Sequence, residues 1–241
     1  MIISMDAKCP HNSEVNCGDC RMNALCLPLA LQAKEVERLD EIVQRGRPLQ
    51  RDNHIYRAGE EFRSVYAVRS GSIKSYTVSN DGVEQVTGFH LPGEIFGMDG
   101  IGQNRYTNSA TAMETSSVCE IPFNRLQELS IAIPTLQRHF FQLMSMEITN
   151  DQHLITLLSK NSAEERVATL LISISNRNLR RKLSPTRFRL PMSRADIGNY
   201  LGLTVETVSR VFGRFQKQDM LLVDKKEIEV LDLEKLRQLA N

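Results

Sequence analysis

The stretch PTLQRHFFQLMSMEITNDQHLITLLSK, from Pro134 to Lys160, decides how the chain is organised. It predicts one long helix, because proline suits the first helical turn and no glycine or further proline follows. Apolar residues recur in it at alternating steps of three and four, which is typical of the seam of a two-stranded coiled coil. The seam positions are Phe141, Met144, Ile148, Asp151, Ile155 and Leu158. The pattern therefore predicts a homodimer in which this helix pairs with its copy.

One position of this seam is acidic. In a symmetric dimer the two Asp151 carboxylates approach each other, and like charges about 4 Å apart repel by roughly 4 kcal/mol at an effective dielectric near 20. We interpret the seam as marginal, so that a modest input from elsewhere in the chain decides whether the dimer forms. The alternative is that Asp151 turns to solvent at the edge of the seam. A second apolar row predicts packing on the same subunit and consists of Leu136, Phe140, Leu143, Leu154 and Leu157.

Composition places the chain among ordinary globular proteins with room for two domains. It has 241 residues, of which 41% are hydrophobic and 24% are charged. The net charge of +1 is uneven: residues 161–241 hold 15 Lys and Arg against 10 Asp and Glu, which leaves −4 for residues 1–160. The basic part is the candidate for binding a polyanion. With no apolar run of about 18 residues and no signal-peptide pattern, we expect a cytoplasmic protein without a membrane segment.

Cysteines cluster near the start of the chain. The spacing Cys17-x2-Cys20-x5-Cys26 brings three soft thiolates within reach of one short loop, as a metal site requires. Cys119 is the natural fourth ligand, which leaves Cys9 as a spare thiol. In a reducing cytosol such cysteines are thiols or metal ligands rather than disulfides. The spacing leaves zinc and an iron–sulfur cluster equally open.

Between the cysteines and the long helix, short runs rich in Val, Ile, Tyr and Thr alternate with glycines. These frequent turn signals are typical of an antiparallel β-barrel or roll. After a short helix over 35–43, we predict strands at 54–56, 64–69, 72–78, 84–90, 109–112 and 117–121. Asn80-Asp81-Gly82 is a hairpin signal. The glycine-rich corner 93–97 is compatible with a phosphate cradle or with a simple turn of the barrel.

The basic C-terminal part predicts a winged helix-turn-helix after an amphipathic helix at 163–175. Ser193 opens a helix with a capping-box pattern, Gly202 makes the turn and Thr204 caps the next helix. The segments 221–223 and 228–231 predict a wing hairpin. The inward side of the second helix is predicted to consist of Val205, Val208, Val211, Phe212 and Phe215.

The exposed face of that second helix carries base-reading chemistry. Glu206, Ser209 and Arg210 lie at i, i+3 and i+4, so they share one face. Arginine binds guanine O6 and N7, glutamate accepts from cytosine N4, and serine adapts to either. The alternative is a solvated face with a local Glu206–Arg210 pair. The turn architecture and the run of basic residues before it favour binding of double-stranded DNA.

The order of these parts, the stretch FRLPMSRADIGNYLGLTVETVSRVFGRFQ and the cysteine spacing resemble the CRP/FNR superfamily. The motif ADIGNYLGLTVETVSR resembles its branch of oxygen-responsive regulators of fumarate and nitrate reduction. The resemblance implies that dimers form without oxygen and that oxygen converts the cluster to a smaller one, which releases the dimer. It implies a [4Fe-4S] cluster held by Cys17, Cys20, Cys26 and Cys119.

The same resemblance implies roles for other positions. It implies reading of palindromic TTGAT-type half-sites by Val205, Glu206, Ser209 and Arg210, and it also places Ile148 and Asp151 at the dimer seam. A contact with RNA polymerase is implied for Ser79, Asn80, Asp81 and Gly82, although Val83 stands where an acidic residue is common in the family. The cyclic-nucleotide branch has an arginine where this chain has Asn108 and a glutamate where it has Met98, so no cyclic nucleotide is expected.

The sequence thus predicts an α+β protein of four parts: a cysteine-rich iron–sulfur segment (1–28), an antiparallel β-roll sensor domain (29–133), a dimerisation helix (134–160) and a winged helix-turn-helix (161–241). We expect an oxygen-sensing, global transcription regulator of anaerobic metabolism genes and not an enzyme, since no nucleophile–base or paired-carboxylate pattern occurs. One alternative is a DNA-binding regulator with a structural zinc and a small-molecule effector. Another is an iron–sulfur enzyme or electron carrier.

Overall fold

The computed structural model describes residues 15–79, 81–160 and 162–240, apart from the side chain of Lys160. Their contacts divide them into two units. The first contains the described residues up to Ser75 together with Phe89–Leu143, and the second contains Tyr76–Gly88 together with the residues from Met144 onwards. No helix in these ranges is long and apolar enough to cross a membrane.

The elements confirm the α+β class. The helices are α1 (Ala33–Asp40), α2 (Phe123–Ala132), α3 (Pro134–Lys160), α4 (Ala163–Arg180), α5 (Arg194–Leu201), α6 (Val205–Lys217) and α7 (Leu233–Ala240). The strands are β1 (Gln44–Arg45), β2 (His54–Tyr56), β3 (Ser64–Ser70), β4 (Ile73–Val78), β5 (Glu84–His90), β6 (Ile95–Phe96), β7 (Ser109–Ala112), β8 (Ser117–Pro122), β9 (Arg187–Arg189), β10 (Leu221–Asp224) and β11 (Glu227–Val230).

Strands β1 to β8 form two four-stranded sheets, in the orders β1-β8-β3-β6 and β2-β7-β4-β5. Aromatic rings fill part of the interior: Tyr56 stacks on Tyr106 with ring centroids 3.8 Å apart, and Phe96 stacks on Tyr66 at 5.5 Å. All six predicted strands are present within a residue of their predicted ends. The two-residue strands β1 and β6 were not predicted, because so short a segment has no periodicity and forms only by pairing with a distant strand.

The long stretch Pro134–Lys160 is one helix, as predicted. Of the second apolar row, Leu136 and Phe140 are buried against the chain, while Leu143, Leu154 and Leu157 are half-buried. The opposite face stays open: Phe141 is 59% exposed, Ile148 58% and Ile155 67%. Met144 and Leu158 are half-buried and Asp151 is exposed. An apolar stripe of this length in water indicates that α3 has a face for a further partner.

In the second unit, α5 and α6 form the predicted helix-turn-helix. Ser193 and Asp196 make a reciprocal capping box on α5, and the Thr204 side chain accepts from the N–H of Thr207 at the start of α6. Gly202 ends α5 in the left-handed region with φ 63°, where glycine carries no Cβ penalty. The wing is a three-stranded sheet, β10-β11-β9, of which β9 was not predicted.

The inward side of α6 requires one correction. The side chains of Val208, Val211, Phe212 and Phe215 are buried as predicted, but Val205 is 42% exposed. Val205 is the first residue of the helix and lies four positions before Ser209, so it shares that residue's outer face. The prediction that Val205 points inward is therefore wrong.

A glycine at the crossing of α5 and α6 provides a test of this packing. A Cβ at Gly198 would lie 2.6 Å from the carbonyl oxygen of Leu203, whereas a Cβ at Gly213 would have nothing within 4 Å. We expect Gly198→Ala to destabilise this unit by about 1–3 kcal/mol through overpacking. Gly213→Ala, the matched control, should stabilise it by about 0.5–1 kcal/mol because alanine favours helix. Hydrogen exchange of the α5 and α6 amides measures both, and equal protection in the two variants would contradict the packing.

Candidate functional site

Cys119 lies on β8, in the sheet of the first unit. Its direct cross-strand partners are Arg45 on β1 and Ala67 on β3, so it stands between two neighbouring strands. Residues directly opposite each other in antiparallel strands have adjacent side chains. Strand pairing therefore brings Arg45 next to Cys119, although 73 residues separate them in the chain.

The segment with the other three cysteines folds onto this sheet through local turns. The N–H of Asn23 donates to the carbonyl of Cys20 at 3.0 Å, and the N–H of Cys26 donates to that of Met22 at 3.0 Å. A short 3-10 helix, Leu27–Ala30, follows, and the Leu27 side chain is buried. These turns curl the segment so that its three thiols approach one another without a regular element.

The glycine-rich corner at 93–97 receives this segment. Gly93 has φ +91°, and a Cβ there would lie 3.0 Å from Cβ of Leu25 and 3.6 Å from Sδ of Met22. Only glycine combines that backbone conformation with so close an approach. The corner therefore accommodates the cysteine segment, which gives its glycine a packing role.

One contact joins the cysteine segment to the long helix. Nε2 of His139, a buried side chain on α3, lies 3.3 Å from the carbonyl oxygen of Cys26. A protonated Nε2 donates this hydrogen bond. No sequence pattern predicts this contact, because it spans 113 residues and involves a single histidine.

All four predicted ligands line one cavity of the first unit. Cys17, Cys20, Cys26 and Cys119 surround it together with mostly apolar side chains, among them Leu27, Leu39, Val43, Val68 and Ile121. Two guanidinium groups, those of Arg45 and Arg69, also line it. Free thiols and cations around an apolar space suit an occupant that carries negative charge and binds sulfur. The remaining cysteine, Cys9, lies outside the described residues.

A half-buried ion pair, Asp40 with Arg45, holds one side of this cavity. The Asp40 carboxylate accepts from the N–H of Cys17 at 2.7 Å and pairs with Arg45, whose Nη2 lies 3.3 Å from Sγ of Cys17. Burial opposes ionisation of Asp40, but the bonds from Cys17 and Arg45 outweigh it and hold the pKa of Asp40 below its usual value. The Nε of Arg45 is buried and has no hydrogen-bond partner among the described residues. A buried N–H without a partner costs free energy, and a hydrogen-bond acceptor in the cavity would remove that cost.

Burial also sets the state of the thiols. It raises the pKa of Cys26 to about 12 and places the pKa values of Cys17 and Cys119 above the ordinary thiol value. The neutral thiols thus predominate near neutral pH until a metal displaces their protons. Within the described ranges, no three Cys, His, Asp or Glu side chains are close enough to hold a single metal ion together.

The second candidate site is the outer face of α6. Val205, Glu206, Ser209 and Arg210 are all exposed, so the helix presents the four predicted reading residues to solvent. Arg210 donates to Oγ1 of Thr207 at 3.1 Å. Hydrogen bonds from its own N–H and from Thr204 keep the pKa of the Glu206 carboxyl below its usual value, so this group is ionised near neutral pH.

Two further positions discussed in the sequence analysis lie in loops: the predicted RNA polymerase contact at 79–82, and Asn108, where no cyclic nucleotide is expected. In the β4–β5 hairpin the N–H of Ser79 donates to the carbonyl of Val83 at 2.9 Å, and Gly82 has φ 81°, while Asn80 lies outside the described residues. In the loop before β7 the N–H of Asn108 donates to the Asp99 carboxylate at 2.8 Å. The Asp99 oxygen also accepts from Thr107. A carboxylate held at this position disfavours a phosphate there, since the charges repel.

Similar proteins agree with this architecture. The family model for a Crp-like helix-turn-helix domain matches residues 165–239, and that for a cyclic nucleotide-binding domain matches residues 46–131. The fumarate and nitrate reduction regulatory protein of Escherichia coli strain K12 is 50% identical over 226 residues, which cover 94% of this chain and 90% of that protein. The transcriptional activator protein FnrA of Stutzerimonas stutzeri is 50% identical over 230 residues, 95% of this chain and 94% of that one. The structure of FixK2 from Bradyrhizobium japonicum superposes with a TM-score of 0.76 at 30% identity and covers 83% of this chain and 98% of that chain.

The raised pKa of Cys26 predicts slow alkylation of this thiol in the metal-free protein. Since the thiolate is the nucleophile, a pKa near 12 leaves Cys26 with about a thousandth of the thiolate of an ordinary cysteine at pH 8. Iodoacetamide should therefore modify Cys26 at least about a hundredfold more slowly in the native than in the denatured chain, and the rate should rise with pH. Mass spectrometry of the Cys26 peptide measures it. Equal rates in both states would show that the thiol is not buried.

Proposed function

Since the chain belongs to the CRP/FNR family of transcription regulators, we propose that it is an oxygen-sensing member that holds a [4Fe-4S] cluster. Regulators of this family are DNA-binding dimers and not enzymes. The observation that carries the proposal is the convergence of Cys17, Cys20 and Cys26 with Cys119 around one cavity. Cysteine thiolates are the usual protein ligands of such a cluster.

We propose a cluster rather than a structural zinc as the occupant, because the four cysteines lie around one cavity that two arginines also line. A zinc–thiolate bond is about 2.3 Å long, so the sulfurs of a tetrahedral site lie within roughly 4 Å of one another. Among the residues described, no such group of three ligands exists. In a four-iron cluster each cysteine binds a different iron, and its thiols stand further apart. The four cysteines supply the thiolate donors that such a cluster requires.

The charges around the cavity support the same occupant. Four thiolates and their cluster carry net negative charge, and Arg45 and Arg69 supply positive charge at the cavity wall. The buried Nε of Arg45 offers a hydrogen bond that has no acceptor in the described part of the chain. When bound, the cluster supplies a metal centre that reacts with oxygen. The protein's own part is to collect the thiols, exclude water and hold these donors in place.

Coupling to the dimer passes through α3. His139 contacts the carbonyl of Cys26, and His139 lies two residues before Phe141, the first seam position of the same helix. If its cysteines hold a cluster, the cysteine segment becomes ordered, and this changes the packing of α3 at the start of the seam. We propose that this packing offsets the repulsion between the two Asp151 carboxylates and shifts the monomer–dimer equilibrium. Loss of the cluster then returns the chain to the monomer.

DNA recognition is assigned to α6. The residues Val205, Glu206, Ser209 and Arg210 would read a TTGAT-type half-site in the major groove. In the dimer two copies of α6 would reach half-sites of a palindrome about one helical turn, roughly 34 Å, apart. The loop Ser79–Gly82 is proposed to contact RNA polymerase and so activate transcription. The Asp99 carboxylate near Asn108 supports the absence of a cyclic nucleotide.

The localisation, the class of target genes and the division into domains complete the proposal. We propose a cytoplasmic, global regulator of anaerobic metabolism genes with a cysteine segment (1–28), a sensor domain (29–133), a dimerisation helix (134–160) and a DNA-binding domain (161–241). A regulator with structural zinc and a small-molecule effector remains the second candidate. Iron and sulfide analysis separates the two, because only a cluster contains inorganic sulfide.

Serine substitution of single cysteines tests the ligand assignment. Cys119→Ser removes the ligand that the sheet supplies, so we expect anaerobically purified variant protein to lose the cluster and its binding to a TTGAT palindrome. Cys9→Ser is the matched control and should keep both. Iron, sulfide and DNA affinity are measured together under anaerobic conditions. Full DNA binding by Cys119→Ser would overturn the scheme.

The acidic seam position gives a second test. Asp151→Ala removes the repelling pair, so the oxygen-exposed protein should dimerise at least about tenfold more tightly. Burial already raises the pKa of Asp151, so protonation also relieves the repulsion, and wild-type dimerisation should strengthen as the pH falls towards that pKa. Asn150→Ala, at an exposed neighbouring position off the seam, is the control. Sedimentation equilibrium measures the dimerisation constants, and an unchanged constant in Asp151→Ala would leave the seam hypothesis without support.

A further inference from the structure

The first turn of α4 connects the other helices of the second unit. Nη1 of Arg166 donates to the carbonyl of Leu201 at 2.9 Å, and Nη2 donates to the carbonyl of Leu158 at 2.8 Å. Leu158 lies in the last turn of α3 and Leu201 is the last residue of α5. One guanidinium therefore joins the end of the long helix to the end of the first helix of the helix-turn-helix.

Both acceptors need such a donor. The last four carbonyls of a helix have no partner within it, and the negative end of the helix dipole favours a cation there. The planar guanidinium presents its two N–H groups in a fixed fork, so it holds two acceptors at a set separation, which a lysine ammonium does not do. Arg166 is itself half-buried and fixed near the start of α4 by the capping box of Ser162 and Glu165.

Packing at the turn reinforces this link. A Cβ at Gly202 would lie 3.5 Å from Nη1 of Arg166 and 3.9 Å from Cδ2 of Leu158. The turn between α5 and α6 thus lies against both the guanidinium and the end of α3. On the other side of the same α4 turn, Glu164 pairs with Arg214 of α6. The link therefore extends from the long helix to the reading helix.

We propose that Arg166 is a positioning residue that fixes α6 relative to the end of α3 and so sets the half-site spacing that the dimer accepts. The inference rests on the proposed function, in which α3 forms the dimer and α6 reads DNA. In a two-fold dimer the distance and angle between the two reading helices depend on how each is held to its own α3. A loose junction would still let each α6 bind a half-site, but it would not enforce one separation.

This role makes a prediction that a purely stabilising arginine does not make. Moving one half-site by a single base pair shifts it by about 3.4 Å and rotates it by roughly 35° around the DNA axis. A rigid junction should penalise that shift, and a loose one should tolerate it. The informative quantity is the ratio of affinities for the correctly spaced palindrome and for the same palindrome with one base pair added or removed.

The experiment uses the full-length, anaerobically purified protein and labelled DNA duplexes with two TTGAT half-sites. We expect wild-type protein to prefer the correct spacing by about tenfold or more, and Arg166→Met to lose most of that preference and to bind the correct palindrome about tenfold more weakly. Dimerisation and binding to a single half-site should stay within about twofold of wild type. Arg237→Met is the matched control, since Arg237 pairs with Glu234 inside α7, and it should keep the spacing preference.

The outcomes separate this inference from the proposed function. If wild-type protein does not bind the palindrome, the proposed function fails. If wild-type protein discriminates between spacings and Arg166→Met discriminates equally well, the positioning role of Arg166 is wrong. If Arg166→Met loses helical content, Arg166→Lys is judged by the same ratio, because lysine keeps the charge and the aliphatic stem but lacks the fork that bridges both carbonyls.

Discussion

The gathering of four half-buried cysteines around one largely apolar cavity is the constraint on which the first unit depends. Cys119 is fixed by the pairing of β8 with β1 and β3, and the segment with Cys17, Cys20 and Cys26 packs over it through Gly93. Burial raises the pKa of the Cys26 thiol to about 12 and also raises the pKa values of Cys17 and Cys119, so the protein alone keeps these three thiols protonated. A metal that displaces the protons adds bonds that the folded chain lacks, and its binding is then coupled to the order of the whole segment.

The same segment contacts α3, which explains how a local chemical event could influence association. His139 meets the Cys26 carbonyl from the buried face of α3, while Phe141, Ile148 and Ile155 leave the other face exposed. In the proposed scheme the exposed apolar stripe favours association and the Asp151 carboxylate opposes it, so that a small contribution at the cysteine segment shifts the balance.

In the second unit, polar contacts fix the helices more specifically than apolar packing does. The capping box of Ser193 and Asp196 sets where α5 begins, and the close approach of Gly198 to Leu203 sets the crossing with α6. Arg166 then ties the ends of α3 and α5 together. Buried apolar residues such as Val208 and Phe215 hold α6 in place but tolerate small shifts. A guanidinium that bridges two carbonyls tolerates such shifts only by losing hydrogen bonds.

The sequence by itself determined the parts with a repeating local pattern. The periodicity of 134–160, the strands between turn glycines, and the Ser193, Gly202 and Thr204 signals of the helix-turn-helix all follow from residues close together in the chain. The cysteine spacing likewise nominated Cys17, Cys20, Cys26 and Cys119 as a group. The apolar pattern of α6 led to a wrong prediction at Val205, because this first residue of the helix lies on the same outer face as Ser209.

Only the tertiary structure decided which side chains surround the cysteines and the ends of the helices. Asp40 and Arg45 contact Cys17, and His139 contacts Cys26, across 23 to 113 residues of chain. Arg166 contacts Leu201, 35 residues away, and Leu158, eight residues away. Asp40, Arg45, His139 and Arg166 do not stand out in the sequence, since single charged residues and a single histidine are common on any surface. Their roles depend on which distant backbone or thiol group folding brings within about 3 Å of them, and hydrogen bonds of that length leave no periodic trace in the order of residues.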